Sequence, residues 1–383
     1  DDLTALGHGT QLAGIIVGQG SSGFARHVGM APAATLYNLK AAYQTSQNEA
    51  WMPGADMLAA LDYAVLHTPA KIVNISFSLG LGNGMQGYEG GDTGTILTLM
   101  ENIVQNYAIA LGTSAAGAPG FASGTPVAPA TFRNGIAVGA MDDRNTVSRA
   151  DDTLSPTNAT GPTNAGVLKP DLTAPGVSIL APASQWEGVA PDYVTMNEQF
   201  EYRSPSAAAA HVSGALALLR QSGVTDMLLA KAILINSADG SGSGAWTPNG
   251  GWGYLNLWNA REPGSYFRNR HGIFAEAFAG PLESGPLNIT LANYRDVLVH
   301  VIVSDRRTGQ PVYSKSVPGG AAKVSLPNGY YLIQVDPLKS PAEYALAISQ
   351  PGFEPVKIAR VGGENSLTYS CFGNKIVALG SKY

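Results

Sequence analysis

The sequence predicts an α/β fold, a doubly wound parallel sheet, followed by a C-terminal all-β sandwich domain. Up to about residue 260, short apolar runs alternate with segments of helical periodicity, the pattern of a parallel sheet with helices on both faces. Beyond that point apolar residues fall at every second position between Gly and Pro turns. At 383 residues the chain also exceeds what one core sustains, so two domains are expected, at 1–262 and 263–383.

In the first domain the expected strands are "TLYNLKAA" (35–42), "KIVNISFS" (71–78), "YAIALG" (107–112), "GIAVGAM" (135–141) and "GVSILAP" (176–182). Between them Met57, Leu58, Leu61 and Val65 recur at helical spacing, as do Ile96, Leu99, Met100, Ile103 and Tyr107. Two further helices are predicted over 206–221 and 225–238. In the second domain the alternating runs are "VLVHVIVSD" (297–305), "KVSLP" (323–327), "GYYLIQVDP" (329–337) and "YALAISQ" (344–350), with no helix among them. There is no internal repeat.

Charged residues make up 13% of the chain against an average of about 25%, and glycines number 46, which suits a compact fold with many tight turns. The net charge of −5 is spread without basic blocks, so neither nucleic acid nor an anionic membrane surface is an expected partner. No apolar run approaches the roughly 18 residues of a membrane helix. One cysteine, Cys371, excludes an intrachain disulfide and a Cys-rich metal site. Oligomeric state is not legible.

Two segments carry chemistry. "GHGTQLAGII" places His8 at the start of one apolar helix, and "RSPSAAAAHVSGALALLR" places Ser206 at the start of another. A serine hydroxyl needs an adjacent base to act as a nucleophile, and the helix behind it offers free N–H groups to a developing oxyanion. The same serine at a helix start is equally the usual N-cap.

The wider context resembles the subtilisin-like serine protease (subtilase) family. "HGTQLAG" (8–14) is similar to its histidine motif, "VGMAPAATLYNLK" to the block that follows, and "KPDLTAPGVSI" (169–179) to its Lys-Pro-Asp segment. "AKAILINSAD" and "GGWGYLNLWNA" resemble its closing helix and last Gly-rich turn. The resemblance implies a subtilisin-like sheet and a serine endopeptidase in which Ser206 attacks a peptide carbonyl and His8 relays the proton. "KIVNISFSLG" then corresponds to the cleft-lining strand and loop, with Ser76, Phe77 and Ser78 against substrate.

The chain departs from the family pattern in three places. The aspartate that orients the histidine lies well upstream of it in the family, whereas seven residues precede His8 here, and Asp1 and Asp2 match the acids that flank the motif. The triad aspartate is therefore expected on an upstream segment. The family's oxyanion Asn falls on Ala118 of "AAGAPG", although a shifted register puts the hydroxyl of Thr113 or Ser114 there; loss of such a donor costs about a hundred- to a thousandfold in turnover. Ser204, Pro205 and Ala210 replace the Gly, Thr and Pro around the serine. Pro is tolerated in a first helical turn, so weakening rather than abolition is expected.

These departures keep a second reading open: a catalytically degenerate subtilase acting as a peptide-binding or scaffold module. His211, just behind the serine, is expected to be structural. No cofactor is expected. Asp142, Asp143, Asp151 and Asp152 are carboxylates of the kind Ca²⁺ uses, but neither pair has ligand spacing beyond a solvated turn. A protein or peptide substrate and a secreted or extracytoplasmic location are implied by the resemblance alone. The last strands are similar to the pre-peptidase C-terminal type of β-sandwich.

Overall fold

A computed structural model of the chain describes residues 7–20, 27–46, 49–77, 95–107, 110–114, 126–183, 193–195, 204–240, 244–261, 264–269, 275–279, 287–294, 298–327, 329–338, 343–349, 357–361, 367–372 and 375–380. It divides into two compact units, one of Asp1–Leu218 with Pro248–Gly251 and one of Leu219–Thr247 with Trp252–Tyr383.

The first unit begins with α1 (His8–Val17), a two-stranded pair β1 (Tyr43–Ser46) and β2 (Glu49–Trp51), and α2 (Gly54–His67). There follow β3 (Ile72–Ile75), α3 (Thr95–Asn106), β4 (Ala110–Ser114), β5 (Ile136–Asp142), β6 (Thr153–Leu154) and β7 (Leu172–Pro175). A second pair, β8 (Leu180–Pro182) and β9 (Tyr193–Thr195), precedes α4 (Ser204–Gln221). Strands β3, β4, β5 and β7 run parallel in that order, and β6 lies antiparallel against the end of β5. Ile136 to Ala140 of β5 are all buried, as expected of a parallel strand covered on both faces.

Two expectations are corrected here. Residues 35–42 form no ladder among the described residues; the segment leaves Leu36 46% and Tyr37 44% exposed, because an alternating pattern makes a strand only where a neighbour supplies hydrogen bonds. The main-sheet strand expected at 176–182 lies instead at β7, while Leu180–Pro182 pairs with β9. Proline at both ends of "PDLTAP" disguised the four-residue strand.

A buried ion pair supports β5 and β7. Lys169 Nζ donates to Asp171 Oδ2 at 2.5 Å and to Gly135 O at 2.9 Å, and that carboxylate accepts Ala137 N–H at 2.8 Å. Asn158 completes the ladder from the side, its amide accepting from Ala140 N and donating to Ala140 O. Gly251, at φ 62°, turns so tightly that a Cβ would meet the Asp171 carbonyl at 2.6 Å, which only glycine permits.

Among the described residues the second unit contains α5 (Met227–Ser237) and eleven strands: β10 (Gly264–Asn269), β11 (Ala275–Ala279), β12 (Leu287–Asn293), β13 (Val299–Asp305), β14 (Pro311–Val317), β15 (Gly320–Leu326), β16 (Tyr331–Pro337), β17 (Tyr344–Ser349), β18 (Lys357–Val361), β19 (Leu367–Phe372) and β20 (Lys375–Gly380). They form antiparallel sheets of order β15-β12-β17-β10-β19-β20 and β14-β13-β16-β11-β18. Leu287, Ile289 and Leu346 from one sheet and Val299, Val303, Ile333 and Val335 from the other share one core, so the unit is a β-sandwich.

Helix α5 packs on the six-stranded sheet against β12 and β17. Its N-terminus is capped by Asp226, whose carboxylate accepts Leu229 N–H at 3.0 Å. All eleven of its residues are buried. In the amide orientation that satisfies both ends, Asn236 donates to the Asn288 and Ala347 carbonyls at 3.2 Å and accepts from Ser349 Oγ at 2.5 Å.

Candidate active site

Ser206 lies inside the first turn of α4, two residues beyond its first residue, and is 5% exposed. It is therefore not the residue that caps the helix. Ala207 to Ala210 behind it are all fully buried, so the run of alanines lets α4 approach its neighbours closely. On one side the helix meets β4, where a Cβ on Gly112 would come within 2.8 Å of Ser213 Oγ. On another, Leu12 and Ile15 of α1 pack with Ala207 and Ala210 of α4 and Ala181 of β8.

His8 is the first residue of α1, behind Gly7 in the left-handed conformation, and is half-buried. It stands one turn before Leu12, on the same helix face. The packing of α1 thus brings His8 to within a turn of the contact made with the first two turns of α4. Ser76 and Phe77 directly follow the carboxyl end of β3 and are half-buried. Ser76 Oγ donates to the carbonyl of Ser206 at 3.2 Å. Four of the residues singled out in the sequence are thereby placed by α1, α4 and the carboxyl end of β3, the edge of a parallel sheet where ligands usually bind. Ala118 and Ser78 lie outside the described residues, as do Asp1 and Asp2.

Of the two alternative oxyanion donors, Thr113 is fully buried and its Oγ1 donates to the Ile136 carbonyl at 3.5 Å, so its hydroxyl is turned into the sheet. Pro205 brings no N–H to the first turn of α4, whereas Ser206 N–H lies among the helix-start amides that intrahelical bonds leave free. A serine oxygen at this end of a helix sits where the dipole favours developing negative charge.

His211, one turn beyond Ala207, has Nδ1 2.9 Å from the Ala207 carbonyl. A carbonyl only accepts, so Nδ1 carries the proton. Burial pushes the pKa of the ring down, against the opposing pull of the Ala207 and Pro175 carbonyls and of Asp143, and keeps the imidazole neutral at pH 7. Its place in the helix is structural.

Sequence reasoning missed Asn74 and Ser213. Ser213 Oγ donates to Asn74 Oδ1 at 3.0 Å, and Asn74 Nδ2 donates to Ser76 Oγ at 3.0 Å. Polar residues at alternate positions of an otherwise apolar strand, Asn74 and Ser76 in "IVNISF", were the available signal. The acidic pairs close on their own turn: Asp151 accepts Thr146 Oγ1, and Asp142 pairs with Arg144. Among the described residues no group of three or more His, Cys, Asp or Glu is placed to hold a metal ion. No helix of the described residues is long and apolar enough to cross a membrane.

A profile of the Subtilase family matches residues 1–253. The chain is 30% identical over 178 residues to serine protease AprX of Bacillus subtilis (strain 168), covering 46% of this chain and 39% of that protein. It is 28% identical over 263 residues to the thermophilic serine proteinase of Bacillus sp. (strain AK1), covering 68% of this chain and 53% of that protein. The chain thus spans about half or less of these curated relatives. Among solved structures, fervidolysin from Fervidobacterium pennivorans, a keratinolytic enzyme related to subtilisin, aligns over 97% of this chain and 67% of that chain at 14% identity, with a TM-score of 0.47.

Proposed function

This chain belongs to the subtilase family, and from that premise we propose that it is a serine endopeptidase cleaving peptide bonds by acyl transfer, with Ser206 as nucleophile and His8 as general base. The observation that carries the reading is the setting of Ser206: buried in the first turn of α4, beside the carboxyl end of β3, with α1 packed against the same turns. Ser206 Oγ attacks the scissile carbonyl as His8 takes its proton. The tetrahedral oxyanion develops toward the N-terminus of α4, His8 returns the proton to the leaving amine, and water repeats the sequence in reverse to release the acid.

An orienting carboxylate completes this machinery, and by the Asp, His, Ser chain order of the subtilisin triad we assign it to a further β-strand that precedes His8. Two observations support the assignment. Among the described residues β3 pairs only with β4, and segment 35–42 has no ladder partner while exposing Leu36 and Tyr37. An inserted strand satisfies backbone groups and covers apolar surface at once. Protein or peptide substrates and an extracytoplasmic location belong to the same proposal.

The test is covalent labelling of the whole gene product by a fluorophosphonate. Wild type is expected to label, with labelling lost in Ser206→Ala and slowed by roughly a thousandfold or more in His8→Ala. A folded wild-type protein that never labels overturns the proposal in favour of a peptide-binding module.

A further inference from the structure

We infer that Asn74 and Ser76 are positioning residues for the Ser206 nucleophile, acting through a hydrogen-bond chain that starts on the third turn of α4 and returns to its first. The inference rests on the reading of Ser206 given above and goes beyond it to a role that Asn74 and Ser76 exert through the main chain of Ser206.

Three bonds define the chain. Ser213 Oγ donates to Asn74 Oδ1 at 3.0 Å, Asn74 Nδ2 donates to Ser76 Oγ at 3.0 Å, and Ser76 Oγ donates to the main-chain oxygen of Ser206 at 3.2 Å. A hydroxyl carries one proton, so each serine's donor is committed and the direction of the chain is fixed. Every donor points the same way, from Ser213 toward Ser206, so each bond polarises the next. Ser213 itself is 1% exposed and Asn74 and Ser76 are half-buried, which shields the chain from competition by bulk water.

The bond to Ser206 addresses a particular weakness. Within α4 the Ser206 carbonyl has the intrahelical acceptor role, which leaves its second lone pair for Ser76. The first turn of a helix frays most easily, and Pro205 reduces its supply of N–H groups further. A donor just beyond the carboxyl end of β3 onto the carbonyl of the nucleophile's own residue fixes the peptide plane that follows Ser206. That plane sets the backbone dihedrals from which the Oγ rotamer is chosen. Ser213 anchors the other end, where α4 lies so close to β4 that a Cβ on Gly112 would come within 2.8 Å of Ser213 Oγ.

The consequence is kinetic. A misplacement of the attacking atom by about 1 Å costs up to a hundredfold in rate, whereas peptide contacts elsewhere in a cleft are untouched by it. Loss of the chain therefore lowers kcat and the rate of covalent labelling, with KM left near its wild-type value.

The experiment uses the whole gene product and compares wild type with Asn74→Ala, Ser76→Ala, Ser76→Thr and the double variant Asn74→Ala/Ser76→Ala. Fluorophosphonate labelling rates, kcat and KM on a peptide substrate, and hydrogen exchange at residues 206–210 are measured on protein shown to be folded. Asn74→Ala and Ser76→Ala are each expected to slow labelling and kcat by between tenfold and a hundredfold, with faster exchange at the helix start. In Asn74→Ala, which leaves the residues assigned to the cleft lining in place, KM is expected to change less than about threefold. Ser76→Thr keeps the hydroxyl and restores most of the rate. The double variant is no worse than the poorer single one, because both residues act through one carbonyl.

Wild-type protein that reacts, alongside single variants that react at the same rate, overturns the positioning role and leaves Ser206 as nucleophile. Rates that fall only in proportion to the unfolded fraction overturn it equally. A folded wild type that never reacts overturns both readings together.

Discussion

Ser76 Oγ donates to the carbonyl of Ser206 across 3.2 Å, although the two residues stand 130 positions apart in the chain. The bond ties the carboxyl end of a parallel strand to the first turn of a helix, and Asn74 and Ser213 extend it back into the body of α4. The register of α4 on the sheet is thus set by polar as well as apolar contacts.

Gly112→Ala tests that register. The added Cβ would lie 2.8 Å from Ser213 Oγ, so either α4 shifts or the Ser213 hydroxyl turns away from Asn74. Overpacking of this kind costs about 1–3 kcal/mol. Chemical denaturation is expected to show that loss, and adding Ser213→Ala in the same background is expected to recover part of it. A Gly112→Ala protein as stable as wild type would mean that the interface of α4 with β4 is looser than its geometry indicates.

Much of this arrangement is legible in the sequence, and the exceptions have physical causes. The helices carrying His8 and Ser206 announce themselves through small residues and apolar periodicity, and the alternation beyond residue 290 announces the sandwich. What a local pattern does not contain is the neighbour. Residues 35–42 alternate like a strand but lack a described partner, and β7 hides between prolines. Helix α5 carries apolar residues on every side, Lys231 and Asn236 notwithstanding, so periodicity identifies a buried helix without saying that β12 and β17 cover it. Asn74 is a polar residue in an apolar strand until Ser213 is brought opposite it.

The Lys169 and Asp171 pair gives a second prediction. Lys169 is fully buried and Asp171 is 1% exposed. Lys169→Met leaves the Asp171 carboxylate buried with Ala137 N–H but without its ammonium partner, and removes the donor to Gly135 O. Breaking a buried pair by deleting one member costs about 3–5 kcal/mol. Urea denaturation is expected to show a loss of this size, and a loss below about 1 kcal/mol would mean that the site relaxes to admit water.

His211 predicts an acid limb in stability. Burial, the largest influence, holds its folded pKa below the ordinary 6.5, so the unfolded chain binds the proton more readily. Stability from this group is complete above pH 6.5 and is lost as pH falls from there toward the folded value, with a slope of at most about 1.4 kcal/mol per pH unit. His211→Gln does not titrate. Its stability relative to wild type is expected to improve steadily between pH 6.5 and the folded pKa, and parallel curves for the two proteins would show that the ring is hydrated.

Lys323 works in the opposite pH range and in the second unit. Its Nζ donates to the carbonyls of Ile235 and Ala238 at 3.0 and 2.9 Å, capping the C-terminus of α5, where a cation also meets the helix dipole favourably. Burial nevertheless pushes its pKa down to about 8 from 10.5, with Asp239 opposing the shift. Below pH 8 both folded and unfolded chains carry the charge, and the folded state bears the full desolvation cost. Between pH 8 and 10.5 the unfolded chain binds the extra proton, so stability rises with pH. The neutral amine keeps two N–H groups, enough for both carbonyls, so capping survives deprotonation. Lys323→Met removes the cap at every pH, at about 1–3 kcal/mol, and also removes the titration. The advantage of wild type over Lys323→Met is therefore expected to grow as pH rises from 7.5 to 10.5, by up to about 3 kcal/mol. Tyr313, held up at about 12 by burial, loses its contribution above pH 10 in both proteins alike and cancels in the comparison. A wild-type advantage that shrinks over this range would mean that attraction to the helix end, rather than burial, controls the charge on Lys323.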